Sequence, residues 1–311
     1  MKKMCILILL ACGMAVPQNV QIPEYYASDE VFSKELAKIV EDLDLDSNFD
    51  VGDDGIEQIS LTVIDLSQGT PVLAGYNSGN FIYPASVYKM YVAAEVLNQI
   101  SSGKYRLDTP TRVTSPNDVD TAREIFSDPR PLLKAGDTVT VNYLLDLMIT
   151  RSDNSAANCL IDLAGRENIN QLIKQNNWTG SEVTRKFLSR KLEDPGYEKI
   201  RGTETCSLHA ADFMYLITEG RLVNPWVSMQ LLSLLGRQLD TGKYASGLPA
   251  NTMFFHKTGW WLFWTNDVGI VDDGEVRYII ACFLPLEEAS ALPKYKELAK
   301  NIHALLRERN L

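Results

Sequence analysis

The 311-residue chain has only three histidines, His209, His256 and His303, and five cysteines, Cys5, Cys12, Cys159, Cys206 and Cys282. Three histidines so placed do not make a His-based metal centre, and no metal or other cofactor is expected. Cys5 and Cys12 fall in the N-terminal leader. The other three are widely spaced and odd in number, so they are read as small buried apolar residues rather than a disulfide framework. Basic residues are the minority: 30 Lys and Arg against 40 Asp and Glu leave a formal net charge of −10. That balance argues against nonspecific nucleic-acid binding, which needs cations facing phosphates, yet it leaves room for a local cationic pocket. No apolar run is long enough to span a bilayer. There is no internal repeat, and nothing specifies an assembly interface, so a monomer acting on a small molecule is expected.

Lys2 and Lys3 precede the apolar run Met4–Leu10, and small residues follow at Ala11, Gly13 and Ala15. This is the pattern of an export signal over residues 1–16. Two cleavage readings stand side by side. Gly13-Met14-Ala15 suits an ordinary signal peptidase. Leu9-Leu10-Ala11-Cys12 resembles a bacterial lipobox, with a lipid anchor on Cys12. Either reading places the mature protein in the periplasm or outside the cell. Residues 17–30, with their Pro and Asn, read as a tether.

Apolar spacing predicts an amphipathic helix over 31–45. Strand-like runs follow at 58–66 and 71–77, with Ser67-Gln68-Gly69-Thr70 as the turn between them. Helical patterns occupy 86–100, 140–150, 154–164, 167–176, 208–219 and 225–238, and the stretch 103–135 reads as irregular. Three more strands are predicted at 252–258, 265–273 and 275–284, with Asp273-Gly274 as a hairpin signal, and a last helix at 292–309. Strands at both ends around a helical block predict an α/β (α+β) fold. One antiparallel sheet is built from both termini and flanked by the terminal helices, with an all-α insertion. The expected domains are 31–85 with 240–311, and 86–239.

The stretch "YPASVYKMYVAA" (83–94) places Ser86 and Lys89 at the head of a helix. Positions i and i+3 share a helix face, so hydroxyl and amine are neighbours. Near a helix N-terminus the Ser86 N–H is free to donate to an oxyanion. A serine needs a base to become a good nucleophile, and a lysine serves if burial or a nearby cation lowers its pKa. The pattern is cheap, since Ser101–Lys104 repeats it. Two further motifs occur once each: Ser152-Asp153-Asn154 at a junction of two helical patterns, and Lys257-Thr258-Gly259 at the end of a strand-like run.

Ser-x-x-Lys, then Ser-Asp-Asn, then Lys-Thr-Gly is the motif set of class A β-lactamases and penicillin-binding proteins. The chain resembles a class A serine β-lactamase, or a close relative among the penicillin-recognising serine hydrolases, over residues 30–310. The segments "GDTVTVNYLLDLMITRSDNSAANCLI" and "KTG…TNDVGIV" carry the similarity beyond the short motifs. The resemblance implies that Ser86 is the acylated nucleophile, with Lys89 the acylation base and Ser152 the relay of a proton to the leaving nitrogen. It also implies that Asn154 contacts the substrate's side-chain amide, while Asp153 braces the loop. Lys257 and Thr258 would attract the substrate carboxylate, Gly259 would let the strand approach, and the Trp260 N–H would complete an oxyanion hole with that of Ser86. The implied reaction is opening of a β-lactam ring through an acyl-enzyme. The alternative is a D,D-peptidase acting on peptidoglycan stem peptides, or a penicillin-binding sensor, with slow deacylation.

Two departures bear on that choice. The family's lactamases carry a Glu-x-x-Leu-Asn segment whose Glu activates the deacylating water, and no such sequence is present. The corresponding stretch, "FLSRKLEDPGYEKIRGTETCS" (187–207), offers Glu193, Asp194, Glu198 and Glu204, of which Glu193 is the favoured base. After Lys257-Thr258-Gly259, where the family often has small residues, stand Trp260, Trp261 and Trp264, expected to be partly buried beside the site. His256 is expected to pack behind it.

Overall fold

The computed structural model describes residues 20–122, 124–193 and 200–310; the export signal and Cys12 lie outside them. Its sheet has six strands: β1 (Ala27–Ser28), β2 (Ser60–Asp65), β3 (Val72–Tyr76), β4 (Met253–Trp261), β5 (Trp264–Asp272) and β6 (Arg277–Leu284), in the order β1-β3-β2-β6-β5-β4. β6 closes the sheet between the two halves of the chain, antiparallel to both neighbours, with Ile279 opposite Ile64 on β2 and Ile270 on β5. The sheet built from both termini is therefore present.

Side chains along β6 explain the layers. Tyr278, Ile280 and Cys282 point to one face and Ile279, Ala281 and Phe283 to the other, and all six are buried. A strand apolar on both faces must be covered twice. On the first face lie α1 (Glu30–Asp42), through Phe32, Leu36 and Val40, and α8 (Glu288–Arg309), through Tyr295, Leu298, Ile302 and Leu306. Asp29 caps α1 by accepting the N–H groups of Val31 and Phe32 at 2.9 and 3.0 Å. On the second face lies the helical block: α2 (Lys89–Ser101), α3 (Val141–Thr150), α4 (Asn154–Ala164), α5 (Arg166–Gln175), α6 (Ser207–Thr218) and α7 (Pro225–Leu235).

Several sequence expectations shift. The region read as a tether is docked from residue 20 onward: Ala27 and Ser28 pair in parallel with Val72 and Leu73 of β3. The Tyr25 and Tyr26 hydroxyls donate to Asp212 on α6 at 2.5 and 2.7 Å, and the Trp178 indole adds a third bond at 2.7 Å. Three donors satisfy a buried carboxylate and fasten the segment to the helical block. The helix predicted from 86 opens as a 3₁₀ turn, Ala85–Tyr88, before α2 begins. Within the irregular stretch, Pro110–Arg112 pairs with Thr138–Thr140. β4 runs past the predicted residue 258 to Trp261, because Trp260 and Trp261 pair with Thr265 and Trp264 and favour a pleated ladder. Cys159, Cys206 and Cys282 are buried and unpaired with one another, as expected.

Candidate active site

Ser86 lies in the 3₁₀ turn, directly after Ala85, which has φ +45°. A left-handed alanine costs about 1–3 kcal/mol and persists only where the surroundings hold it. The clamp is β4, the sheet edge. A Cβ added to Gly259 would lie 2.8 Å from both Pro84 O and Ser86 N, so glycine alone lets the strand come this near the Ser86 N–H. From β5, the Asn266 side chain donates to Tyr83 O at 3.2 Å and ties the same turn to the sheet.

Lys89 follows one turn later and is fully buried. Its Nζ donates to Ser86 Oγ at 3.0 Å, Ser152 O at 2.5 Å, Ser152 Oγ at 3.1 Å and Asn154 Oδ1 at 2.7 Å. Four acceptors surround a group that has three N–H bonds when charged, so the serine hydroxyls compete for one direction. A neutral amine keeps two N–H bonds and gains a lone pair, which can accept from the Ser86 hydroxyl. Burial pushes Lys89 down to about 8, against the opposing pull of Asp120, Glu124 and Asp153. Lys257 is driven well below its ordinary value by burial and by the charge of Lys89. Its Nζ donates to Ser152 Oγ at 3.0 Å and Thr258 O at 2.7 Å. Ser152 Oγ thus joins two amines of lowered basicity, an arrangement that can carry a proton from Ser86 towards a leaving group.

Ser152 has φ +62°, a second left-handed non-glycine residue at the site. Asp153 holds the turn by capping α4, accepting from Ala156 N at 2.7 Å. Behind it, Arg151 is buried and donates to Asp153, Asp128 and the carbonyls of Arg130 and Pro131. These bonds fasten the loop after residue 112 to the Ser152 turn. That loop also supplies Asp120, whose carboxylate accepts from Asn154 N, Asn154 Nδ2 and Ser155 N at 2.8–3.1 Å. Asn154 is therefore held from both ends of its amide, by Lys89 and by Asp120.

The cleft over Ser86 is a cavity of about 480 Å³ walled by Asn154, Asp120, Glu124, Phe187, Arg185 and Trp260, among others. Ser86, Lys89, Ser152, Asn154, Lys257, Thr258, Gly259 and Trp260 all converge on this region. Glu193 is not brought to the cavity wall. Its carboxylate side chain is buried, pairs with Arg166 at 3.6 Å and accepts the Lys186 N–H at 3.1 Å. Glu204 pairs with Arg201 at 3.3 Å and lines a separate cavity. Asp194 and Glu198 lie outside the described residues.

From the same stretch, Phe187 does reach the cleft. Its ring stacks on Tyr88 at 4.4 Å and covers the Lys89 amine at 4.2 Å from the centroid. Asn158, one helical turn beyond Asn154, fixes its backbone: Asn158 Oδ1 accepts from Phe187 N at 2.7 Å and Nδ2 donates to Phe187 O at 3.3 Å. An aromatic ring thus occupies the space above the Lys89 amine. Trp264 is buried, whereas Trp260 and Trp261 are 42 % and 55 % exposed along the cleft rim. His256 is buried behind Lys257, stacked on Phe254 and bonded to Asp267 at 2.8 Å.

The sequence match to the family model for the beta-lactamase enzyme family spans residues 37–306. The chain belongs to that family. Solved structures repeat the fold. PBP-A, at 18 % identity, aligns over 93 % of this chain and 100 % of its own, with a TM-score of 0.75. A PBP-A point mutant in an acyl-enzyme complex with penicillin G, also at 18 % identity, aligns over 92 % and 100 %, with a TM-score of 0.74. A β-lactamase from Sphaerobacter thermophilus, again at 18 % identity, aligns over 88 % and 97 %, with a TM-score of 0.73. No curated protein sequence matches.

Sequence reasoning missed Asp120, Glu124, Asn158 and Phe187. The carboxylates sit in a stretch with no regular period. Phe187 was passed over because the search along 187–207 looked for charge. Asn158 carried a usable signal, four residues after Asn154 on the same helix face.

Proposed function

We propose that this family member is a serine acyl-transfer hydrolase of the penicillin-recognising type, in which Ser86 opens a β-lactam ring or cleaves a stem-peptide amide. The observation that carries the reading is the buried Lys89 amine, 3.0 Å from Ser86 Oγ and 3.1 Å from Ser152 Oγ. Neutral Lys89 takes the Ser86 proton as Oγ attacks the carbonyl. The oxyanion is met by the backbone N–H groups of Ser86 and Trp260. The C–N bond then breaks, and the leaving nitrogen receives the proton through Ser152. The export expected from the leader would put this chemistry where cell-wall peptides and antibiotics are encountered.

Phe187 favours slow release of the acyl group. Hydrolysis of the ester needs a water held by a base beside Ser86. The face of Lys89 that could hold one is covered by the ring, and Glu193 is turned to Arg166. The reading is a penicillin-binding acyl-enzyme of long lifetime rather than a rapid lactamase. Intact mass after addition of a penicillin and a cephalosporin tests it: a Ser86 adduct should form and persist, with little product. A transient adduct with accumulating product would restore the lactamase reading. No adduct, with Ser86→Ala indistinguishable from the parent, would remove both.

A further inference from the structure

We propose that the acyl side of the Ser86 cleft is an anion subsite, where Arg185 and Arg190 hold a carboxylate carried by the part of the substrate that stays bonded to Ser86. The inference rests on the acyl-transfer reading and names its substrate class. Ser152, which protonates the leaving group in that reading, does not line the cavity of about 480 Å³. It opens on another, of about 430 Å³, together with Thr258 and Gly259. The leaving half of the substrate, with any carboxylate drawn to Lys257 and Thr258, belongs there. The retained half belongs in the larger cavity, beside Asn154. Tyr83, Arg185, Arg190 and Trp261 form a ridge between that cavity and a third, of about 260 Å³.

Several contacts hold the ridge in place. Glu193 accepts the Lys186 N–H at 3.1 Å and so closes the loop 186–193. Arg190 opens the 3₁₀ turn Arg190–Leu192 within that loop. The Arg185 guanidinium lies over the Tyr83 ring, 5.5 Å from its centroid, and Tyr88 Oη donates to the Arg185 carbonyl at 3.3 Å. Tyr83 in turn meets Trp264 edge to face at 5.5 Å. Burial pushes the Tyr83 hydroxyl up, while the charge and hydrogen bond of Arg185 and the charge of Arg190 draw it back. Both guanidiniums thus stand near one hydroxyl, and among the described residues neither is paired with a carboxylate.

The other charges on the cavity wall are Lys186, Asp120 and Glu124. Lys186 pairs with Asp162 at 2.5 Å. Asp120 accepts from Asn154 and Ser155. Burial pushes Glu124 up, against the charges of Lys89 and Lys257, so it is neutralised at a higher pH than an ordinary carboxylate. Neither acid pairs with a ridge guanidinium. Lys89 and Lys257 add positive charge from the cleft floor to the extent that they are protonated. Beyond the ridge stand Asp54, Glu57 and Glu204; Glu204 pairs with Arg201, and burial pushes Glu57 up. Positive potential therefore prevails at the ridge on its Ser86 side. The forked N–H donors of a guanidinium match a carboxylate, and the exposed Trp261 ring gives a flat spacer a surface to lie on.

The test uses three benzoylglycine thioesters of mercaptoacetate, whose ring carries a para carboxylate, hydrogen or aminomethyl group. The leaving half is the same in all three, so Lys257 and Thr258 meet the same carboxylate each time. In each, Ser86 Oγ bonds to the carbonyl carbon and the C–S bond breaks. The serine proton passes by Lys89 and Ser152 to the departing sulfur, with no oxidation or reduction. Thiol release and the Ser86 adduct mass are followed together. The carboxylate ester should acylate at least about tenfold faster than the aminomethyl ester, with the unsubstituted ester between them. The ratio should shrink at high salt, in Arg190→Gln, whose exposed side chain can be changed without disturbing the core, and further in the double variant with Arg185→Gln. Equal rates, or a faster aminomethyl ester, would overturn the proposal, as would a preference undiminished in Arg190→Gln and in a folded double variant. Binding to Ser86→Ala, observed by saturation-transfer NMR, separates the subsite from the reaction. Tighter binding of the carboxylate ester, lost in Arg190→Gln, without acylation of the native protein would sink only the acyl-transfer reading. Equal binding of the three, or binding of none, would sink the anion subsite.

Discussion

Replacing Gly259 with alanine adds one carbon at the tightest point of the site. That carbon would lie 2.8 Å from Pro84 O, 2.8 Å from Ser86 N and 3.0 Å from Val87 N, all of them backbone atoms. No side chain can swing aside to relieve the contact. The strand and the Ser86 turn must part by about 0.6 Å to reach an ordinary 3.4 Å approach, an overpacking that costs about 1–3 kcal/mol. The displaced atoms include the Ser86 N–H, one of the two donors proposed above for the oxyanion. Losing such a donor costs about 10²–10³-fold in rate, or roughly 2.7–4 kcal/mol. Acylation by a fluorescent penicillin, measured on gels over time, should therefore slow by about 10²–10³-fold in Gly259→Ala while the protein remains folded. A folded variant acylated within about threefold of the parent would show that the approach of β4 to Ser86 does not form the oxyanion site.

Acylation should depend on pH through Lys89, which works as a base only when neutral. With the amine pushed down to about 8 by burial, the rate should rise with pH, level off above about 8, and lie roughly a hundredfold below the plateau at pH 6; a flat profile from pH 6 to 9 would remove Lys89 from that role. The same shift makes the unfolded chain bind more protons between about 8 and the ordinary 10.5, so Lys89 contributes a stability that increases with pH in that window, readable by urea titration. Phe187→Glu places a carboxylate above Lys89 and should shorten the penicillin adduct's lifetime at least tenfold, at some cost in thermal midpoint from the lost Tyr88 stack. Glu193→Gln should leave that lifetime unchanged, and prolonging it would return Glu193 to the catalytic machinery. Arg151→Met leaves Asp153 without its buried cation, while Asp128 keeps Arg130, and should lower stability by about 3–5 kcal/mol in denaturant titration, with Ser86 acylation slowed as the Ser152 turn loosens.

Much of the fold was legible because its elements announce themselves locally. β6 alternates two sets of apolar side chains and so reads as a strand covered on both faces. α1 repeats Phe32, Leu36 and Val40 every four residues behind an Asp29 cap. The stretch from 103 to 135 offered no such period, because its shape is imposed by Arg151 and by the α4 terminus, which draws in Asp120. Element ends drifted for a related reason. The Trp260–Trp261 pair extends β4 only because β5 presents Trp264 and Thr265 to it across the turn.

By itself the sequence determined the family, the sheet drawn from both termini, and the motif residues Ser86, Lys89, Ser152 and Lys257 that the fold brings together, since short motifs and periodic burial are local properties. What lies around those groups was decided in three dimensions. Asn158 from α4 and Tyr88 from the 3₁₀ turn come together to hold Phe187 over Lys89, where a charge-led reading placed a glutamate. Asp240, Glu288 and Glu124 come from three separate segments to line the cavity beside Ser152. A motif specifies which side chains can react. The dielectric, the like and unlike charges, and the room for water around them depend on residues far apart in the chain, and only packing brings those within range.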